Sequence, residues 1–212
     1  NVTTRKDSQK MQIDQLNYNN FRLSENNFDT EIVDKLKNSD YVLVSISPIN
    51  GKDIVIENCK KFFENNKIKW LTYLSATSVY GNHNGKWVDE ESDTVPTSLN
   101  GIERLDAEKS WIDLANKYKI PTQIFRLSGI YSNERNILSR LKSGDSNIIN
   151  KKNQFFSRIH VEDISNILFK SISKFKTNEI YNISDDKPSS SEEVALYGSK
   201  LLGIEKPKTV EL

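Results

Sequence analysis

Cysteine is almost missing from this chain of 212 residues, and the single Cys59 excludes a disulfide framework and any thiolate-rich metal site. Histidine is nearly as scarce. His83 and His160 stand far apart with no ligand spacing, so no metal is expected. Neither sign of charge dominates: 30 Lys and Arg face 29 Asp and Glu, for a formal net charge of +1. The basic face that grips nucleic acid is therefore not expected. No apolar run approaches membrane-spanning length and no leader peptide is recognised, so no membrane partner is expected. A reducing cytoplasm suits the lone thiol and is the expected location. Glycine is thin as well. The chain has 8, no two of them separated by a single residue, so no Gly-x-Gly-x-x-Gly turn for cradling phosphates occurs.

What the chain does contain is a series of short apolar blocks, enough in this length for one domain with a full core. The block around which the others are arranged is Trp70–Gly81. Trp70 to Leu74 reads as a buried strand. It then turns abruptly small and hydroxylated at Ser75, Ala76, Thr77 and Ser78, before Val79-Tyr80-Gly81. Hydroxyls grouped at the carboxyl end of a buried strand mark where an open α/β sheet takes its ligand. A strand running into an ordinary Ser/Thr turn is the alternative.

Along the chain, Val2–Arg5 reads as the end of a strand, Asp7 to about Asn17 as helix, and Phe21–Leu23 as a short strand. Asp29 is the expected cap of a helix reaching Lys37. Tyr41–Ile46 is expected as a continuous apolar strand of the buried, parallel kind, followed by Ser47-Pro48 and an Asn50-Gly51 turn. Asp53 starts a helix to about Asn65. After the central strand comes a long polar loop to Ser98, of the sort that is often functional. Asn100 and Glu103 have capping-box spacing at the head of a helix to about Tyr118. Pro121–Leu127 is another buried strand, running into Ser128-Gly129-Ile130-Tyr131. A helix over Glu134–Leu141 and a strand at Ile148-Ile149 follow. Val161, Ile164, Leu168 and Ile172 define one helix face, Glu179–Ile183 a strand, and Ser190 with Glu193 a second capping box before the last helix. This alternation argues for an α/β fold with a doubly wound parallel sheet.

Four segments then occur in one order: Ser75–Gly81, Arg126–Tyr131, Arg158–Ile164 and Ile180–Asp186. Together they resemble the NAD-dependent epimerase/dehydratase family, the extended short-chain dehydrogenases/reductases, and most closely its atypical members. The resemblance implies a Rossmann-type doubly wound sheet forming a single domain, with substrate-facing insertions around 132–160 and 185–212. It implies NADP or NAD bound across the carboxyl edge of the sheet, with Thr4, Arg5, Ser45, Ser47, Pro48, Ser75, Ala76, Leu127, Ser128 and Gly129 facing the coenzyme. The strand tips at Arg5, Ser47, Ala76 and Leu127 fall where such a dinucleotide lies.

Two departures stand out. The glycine-rich turn belongs to a first strand-turn-helix unit, so a unit of about 30 residues is expected ahead of Asn1. The catalytic slots also differ. The family carries Ser or Thr four residues before the Tyr of Val-Tyr-Gly, where this chain has Ala76, and a Tyr-x-x-x-Lys pair where it has Asn100 and Arg104. That pair lowers a tyrosine pKa for proton exchange during hydride transfer. Asn100 cannot titrate and Arg104 stays protonated.

Thr77, Tyr80 and Arg104 are thus the candidate catalytic residues, and Tyr131, Arg158 and His160 the candidate substrate-binding ones. Each has a plainer reading: Tyr80 and Tyr131 as packing rings, Arg104 in a surface pair with Glu108, His160 tying down a turn, Asn100 as a helix cap. Arg126, inside an apolar strand, calls for a partner such as Asp163 or Glu162. Arg5 follows a strand where NADP enzymes carry an Arg for the 2′-phosphate, so NADP is preferred over NAD. The expected function is an NAD(P)-dependent oxidoreductase or isomerase acting on a nucleotide sugar or other small polar carbonyl compound. The alternative is a non-catalytic NADP-binding redox sensor or partner-binding module. A homodimer is left open.

Overall fold

Strands and helices alternate through most of the computed structural model, which describes residues 2–4, 9–13, 16–24, 27–64, 67–144, 147–150, 153–174, 176 and 178–211. In order these are β1 (Val2–Thr4), β2 (Gln9–Ile13), β3 (Leu16–Ser24), β4 (Asn27–Phe28), α1 (Glu31–Lys37), β5 (Tyr41–Val44), α2 (Ile54–Cys59), β6 (Trp70–Ala76), α3 (Leu99–Tyr118), β7 (Thr122–Leu127), β8 (Gly129–Tyr131), α4 (Ile137–Lys142), β9 (Ile148–Asn150), β10 (Arg158–His160), α5 (Val161–Ser173), β11 (Glu179–Ile183), α6 (Ser191–Leu202) and β12 (Thr209–Glu211). Short 3-10 turns follow α2 (Lys60–Phe63) and β6 (Thr77–Tyr80). The chain divides into two compact units. One holds Asn1–Ser75, Ser98–Phe125 and Phe175–Tyr181, the other Ala76–Thr97, Arg126–Lys174 and Asn182–Leu212.

The first unit is built on strands β11, β7, β6 and β5, hydrogen-bonded in that order. β5 and β6 run parallel, with Tyr41 opposite Trp70 and Val44 opposite Tyr73. β5 stands last in this strand order and Tyr41 and Leu43 are exposed on it, so the expected burial of this strand is not met. Leu71, Thr72, Trp70 and Tyr73 are all buried, as expected of a strand covered on both faces. One continuous core joins Val44, Leu71, Tyr73 and Ile124 of the strands to Ile54, Cys59, Ala107, Trp111 and Leu114 of the helices. Trp111 is its pivot: fully buried, edge-on to Phe63 at 5.6 Å and stacked on Tyr73 at 6.0 Å. Truncating such a ring costs about 3–5 kcal/mol.

A second small sheet in this unit sets β1 parallel to β3, with β2 and β4 antiparallel to β3. The expected helix over Asp7–Asn17 is therefore not formed: Gln9–Ile13 pairs with Leu16–Asn20 as a hairpin. Local helix propensity is a weak prior, and a cross-strand ladder overrides it here. Two expected caps also move. Thr30, not Asp29, precedes α1, while the Asp29 carboxylate accepts the Arg22 N–H at 2.6 Å. Ser98 caps α3 by accepting the Gly101 N–H, so Asn100 and Glu103 form no capping box. Asp53 does cap α2, accepting from Val55 and Ile56.

In the second unit β8 and β10 pair in parallel, as do β9 and β12. Helix α4 starts at Ile137, capped by Asn136, three residues later than the sequence pattern placed it. It packs on α6 where Gly198 gives room: a Cβ there would lie 2.7 Å from Leu141 Cδ1. The Ser190–Glu193 capping box forms as expected. On α5 only Ile164 of the predicted face is buried, while Val161 and Ile172 are exposed.

Candidate functional site

In the first unit, the site residues gather where β5 and β6 end. Ser45 and Ser47 are exposed and Pro48 half-buried in the loop that follows β5. Arg104, one turn into α3, reaches both strand ends. It donates to Leu74 O at 3.1 Å and to Ser47 Oγ at 2.7 Å. This is not a surface pair with Glu108, which is itself buried. Tyr73 and Ser75 alternate onto the face of β6 that meets α3. Burial, and then the charge of Asp53, raises the Tyr73 phenol far above its ordinary pKa, while Arg104 pulls it down. Ser75 Oγ is buried with no hydrogen-bond partner among the described residues. Thr4 ends β1, its side chain and all of Arg5 lying outside what the structure describes.

Glu103, the residue before Arg104, has only capping-box spacing to mark it in the sequence. Its carboxylate accepts the Gly51 N–H at 2.7 Å, across 52 residues of chain. Asp53 is tied to the same helix, accepting from Trp111 Nε1 at 2.7 Å. No spacing rule connects residues so far apart, and a Glu beside an Arg at a helix start is too common to mark them.

In the second unit, Ala76 is extended and Thr77 opens the 3-10 turn that ends at Gly81. The Tyr80 hydroxyl is bonded on both sides, donating to Asn182 Oδ1 at 2.8 Å and accepting from Arg126 at 2.9 Å. The same guanidinium lies over the Tyr80 ring, so Tyr80 is a partner that the structure shows for Arg126. The Asn182 backbone N–H donates to Glu90 at 2.6 Å, fixing the long polar loop. His83 Nε2 donates to two carbonyl oxygens, Tyr80 O and Asp93 O, each at 3.1 Å.

Leu127 and Ser128 are buried, and Ser128 Oγ donates to Ile183 O at 3.0 Å, while Gly129 is exposed. Register brings Tyr131 and His160 opposite each other on β8 and β10, and their rings meet at 5.1 Å. His160 Nδ1 also accepts the Glu162 N–H at the head of α5. Arg158, half-buried, donates to Phe156 O at 3.0 Å and flanks the Phe156 ring. Among the described residues there is no cluster of acids, histidines and cysteine suited to a metal, and no helix long and apolar enough to cross a membrane.

The profile of the NAD dependent epimerase/dehydratase family matches residues 37–184, spanning both of these groups. The chain belongs to that family. Among solved structures, a conserved protein of unknown function from Silicibacter pomeroyi is 36% identical, with a TM-score of 0.77 over 83% of this chain and 62% of its own. The UDP-glucuronic acid 4-epimerase of Bacillus cereus, in complex with NAD, is 17% identical, with a TM-score of 0.70 over 85% of this chain and 65% of that one. The dTDP-glucose 4,6-dehydratase of Bacillus anthracis, also with NAD, is 19% identical, with a TM-score of 0.69 over 86% of this chain and 63% of that one. The chain therefore spans less than two thirds of these structures. No curated protein matches it. The family's Rossmann-type α/β fold, with its parallel sheet, is the fold expected from the four segments.

Proposed function

We propose that this chain is part of a cytoplasmic NAD(P)-dependent oxidoreductase or epimerase of the family, acting on a nucleotide sugar or another small polar carbonyl compound. The observation that carries the reading is the array at the ends of β5 and β6. Arg104 spans the two strands, Ser47 and Ser45 stand exposed beside it, and the buried Ser75 Oγ is unmatched. This donor set fits a group rich in acceptor oxygens, such as the ribose and phosphates of a dinucleotide. Ser45, Ser47, Pro48 and Ser75 would hold it from this side. When bound, the coenzyme supplies the hydride chemistry. Ala76, Leu127, Ser128 and Gly129 remain proposed coenzyme contacts, Thr77 a proposed hydroxyl near the reaction, and Tyr131, Arg158 and His160 proposed substrate contacts. NADP is proposed over NAD from Arg5.

The chain's own residues shape the chemistry by position and charge. The Arg104 guanidinium presents donors only, so it can stabilise negative charge building on a carbonyl oxygen. Fluorescence titration of the intact-length protein with NADPH and NADH tests the reading. Tighter NADPH binding supports it, and equal or absent binding overturns it.

A second reading, a non-catalytic NADP-binding module, is favoured by one observation: the Tyr80 hydroxyl is already bonded to both Arg126 and Asn182. NADPH binding without turnover across a panel of nucleotide sugars and simple carbonyl compounds would select it. Turnover lost in Arg104→Ala would remove it.

A further inference from the structure

We propose that Glu103 and Arg104 are positioning residues that fix the loop between β5 and α2 and turn Ser47 into a hydrogen-bond donor for the coenzyme, an inference that rests on the coenzyme reading above. The loop closes in a two-residue turn, Asn50 at φ 52° and Gly51 at φ 76°, with Ile49 and Lys52 exchanging both backbone bonds. In such a turn the second central N–H points away from the ladder. Glu103 accepts that N–H, from Gly51, at 2.7 Å, a bond strengthened by the carboxylate charge. Arg104 holds the other end of the loop through Ser47 Oγ, at 2.7 Å. A third tie, Trp111 to Asp53, lies two helical turns further along α3 on the face of Arg104. The loop is thus set from one side of one helix, at its beginning, its turn and its end.

The direction of the Arg104 bond decides what Ser47 can do. Guanidinium has donors only, so Ser47 Oγ is the acceptor and its own proton points away from Arg104. A hydroxyl that accepts from a cation is a stronger donor in turn. Ser47 is exposed, so that proton is offered to an acceptor oxygen of a bound ligand, which a ribose or phosphate provides.

The test is amide exchange at Gly51 and Lys52 by NMR on the full chain without coenzyme, beside NADPH titration and thermal unfolding. In Glu103→Ala, Gly51 exchange should rise about ten- to a hundredfold, the loss of one charged hydrogen bond. Glu103→Gln keeps an acceptor and should restore most of the protection. Glu103→Ala and Ser47→Ala should each weaken NADPH binding at least about fivefold while the melting temperature moves little. Gly51 exchange within about twofold of wild type in Glu103→Ala overturns the fixing of the loop. Faster exchange with unaltered NADPH affinity overturns the donor role of Ser47. Faster exchange in a protein that binds no NADPH at all removes the coenzyme reading and leaves the loop-fixing role of Glu103 upheld.

Discussion

Arg126 meets Tyr80 twice: its guanidinium carbon lies 4.9 Å from the ring centroid, and one N–H donates to the same residue's hydroxyl at 2.9 Å. That hydroxyl hands its proton to Asn182 Oδ1, and Asn182 in turn gives its backbone N–H to Glu90. A tyrosine enclosed in this way holds the turn after β6 and the long loop beyond it. Tyr80→Phe keeps the ring and the cation–π contact but removes the oxygen that joins Arg126 to Asn182. The fold should lose about 2 kcal/mol, with a melting temperature lower by about 5 °C, read by circular dichroism. An unchanged melting temperature would mean that the bridge contributes nothing.

Asp53 is expected to make stability depend on pH. Its carboxylate takes the Val55 and Ile56 N–H groups on one oxygen and Trp111 Nε1 on the other. Burial nevertheless wins and raises its pKa above the ordinary 3.8. The folded chain therefore keeps this proton longer than the unfolded one does. Its contribution is complete below the unfolded pKa and is lost as pH rises through the folded value. Asp53→Asn should flatten the stability profile in urea melts as pH rises from 3.8 through the raised folded pKa. It should also cost about 1–3 kcal/mol at neutral pH, because the amide nitrogen must face one of the donors the carboxylate accepted. Parallel profiles for the two proteins would rule out Asp53 as the source of the slope.

How legible these features were depends on how local their causes are. Asp53 as a cap, the Ser190–Glu193 box and the turn at Asn50-Gly51 follow from a few adjacent residues, and each is found where the sequence put it. Gln9–Ile13 misled because its partner strand, and not its own composition, decided its state. The four family segments marked the fold. What they could not show is which atoms each side chain holds. Glu103 reaching Gly51, Arg104 reaching Leu74 and Tyr80 reaching Asn182 span 52, 30 and 102 residues. Such contacts come from the way α3 and β11 pack, which no local pattern encodes.

Gly81 and Gly203 both have positive φ, 70° and 66°, yet alanine should affect them very differently. At Gly203, the left-handed end of α6, a Cβ would meet nothing within 4 Å, so only backbone strain remains, about 1–2 kcal/mol. At Gly81 the Cβ would stand 2.0 Å from the carbonyl oxygen of Val95, which is held by its own backbone bridge. Gly81→Ala must therefore break the pairing of the loop as well as strain the turn, at a cost above about 4 kcal/mol. Urea unfolding of the two variants side by side checks this. Equal losses would show that the loop yields freely at Val95.

Cys59 should be inert in the native protein and give the fold an alkaline weakness. It is almost wholly buried, and burial, followed by the charge of Asp53, pushes its thiol up to about 11. At pH 8 the thiolate fraction is then on the order of one in a thousand, so alkylation by iodoacetamide should be at least about a hundredfold slower than in the unfolded chain. The linkage runs the same way as for Asp53. A raised pKa means stability that is whole below the unfolded value, 9.0, and lost as pH climbs through about 11. Cys59→Ala removes the titrating group for a small cavity cost of about 1 kcal/mol, so its stability should fall less steeply over that interval than wild type does. Rapid alkylation of the folded protein, or an alkaline slope unaltered in Cys59→Ala, would place the thiol at the surface and not among Ile54, Phe63 and Trp111.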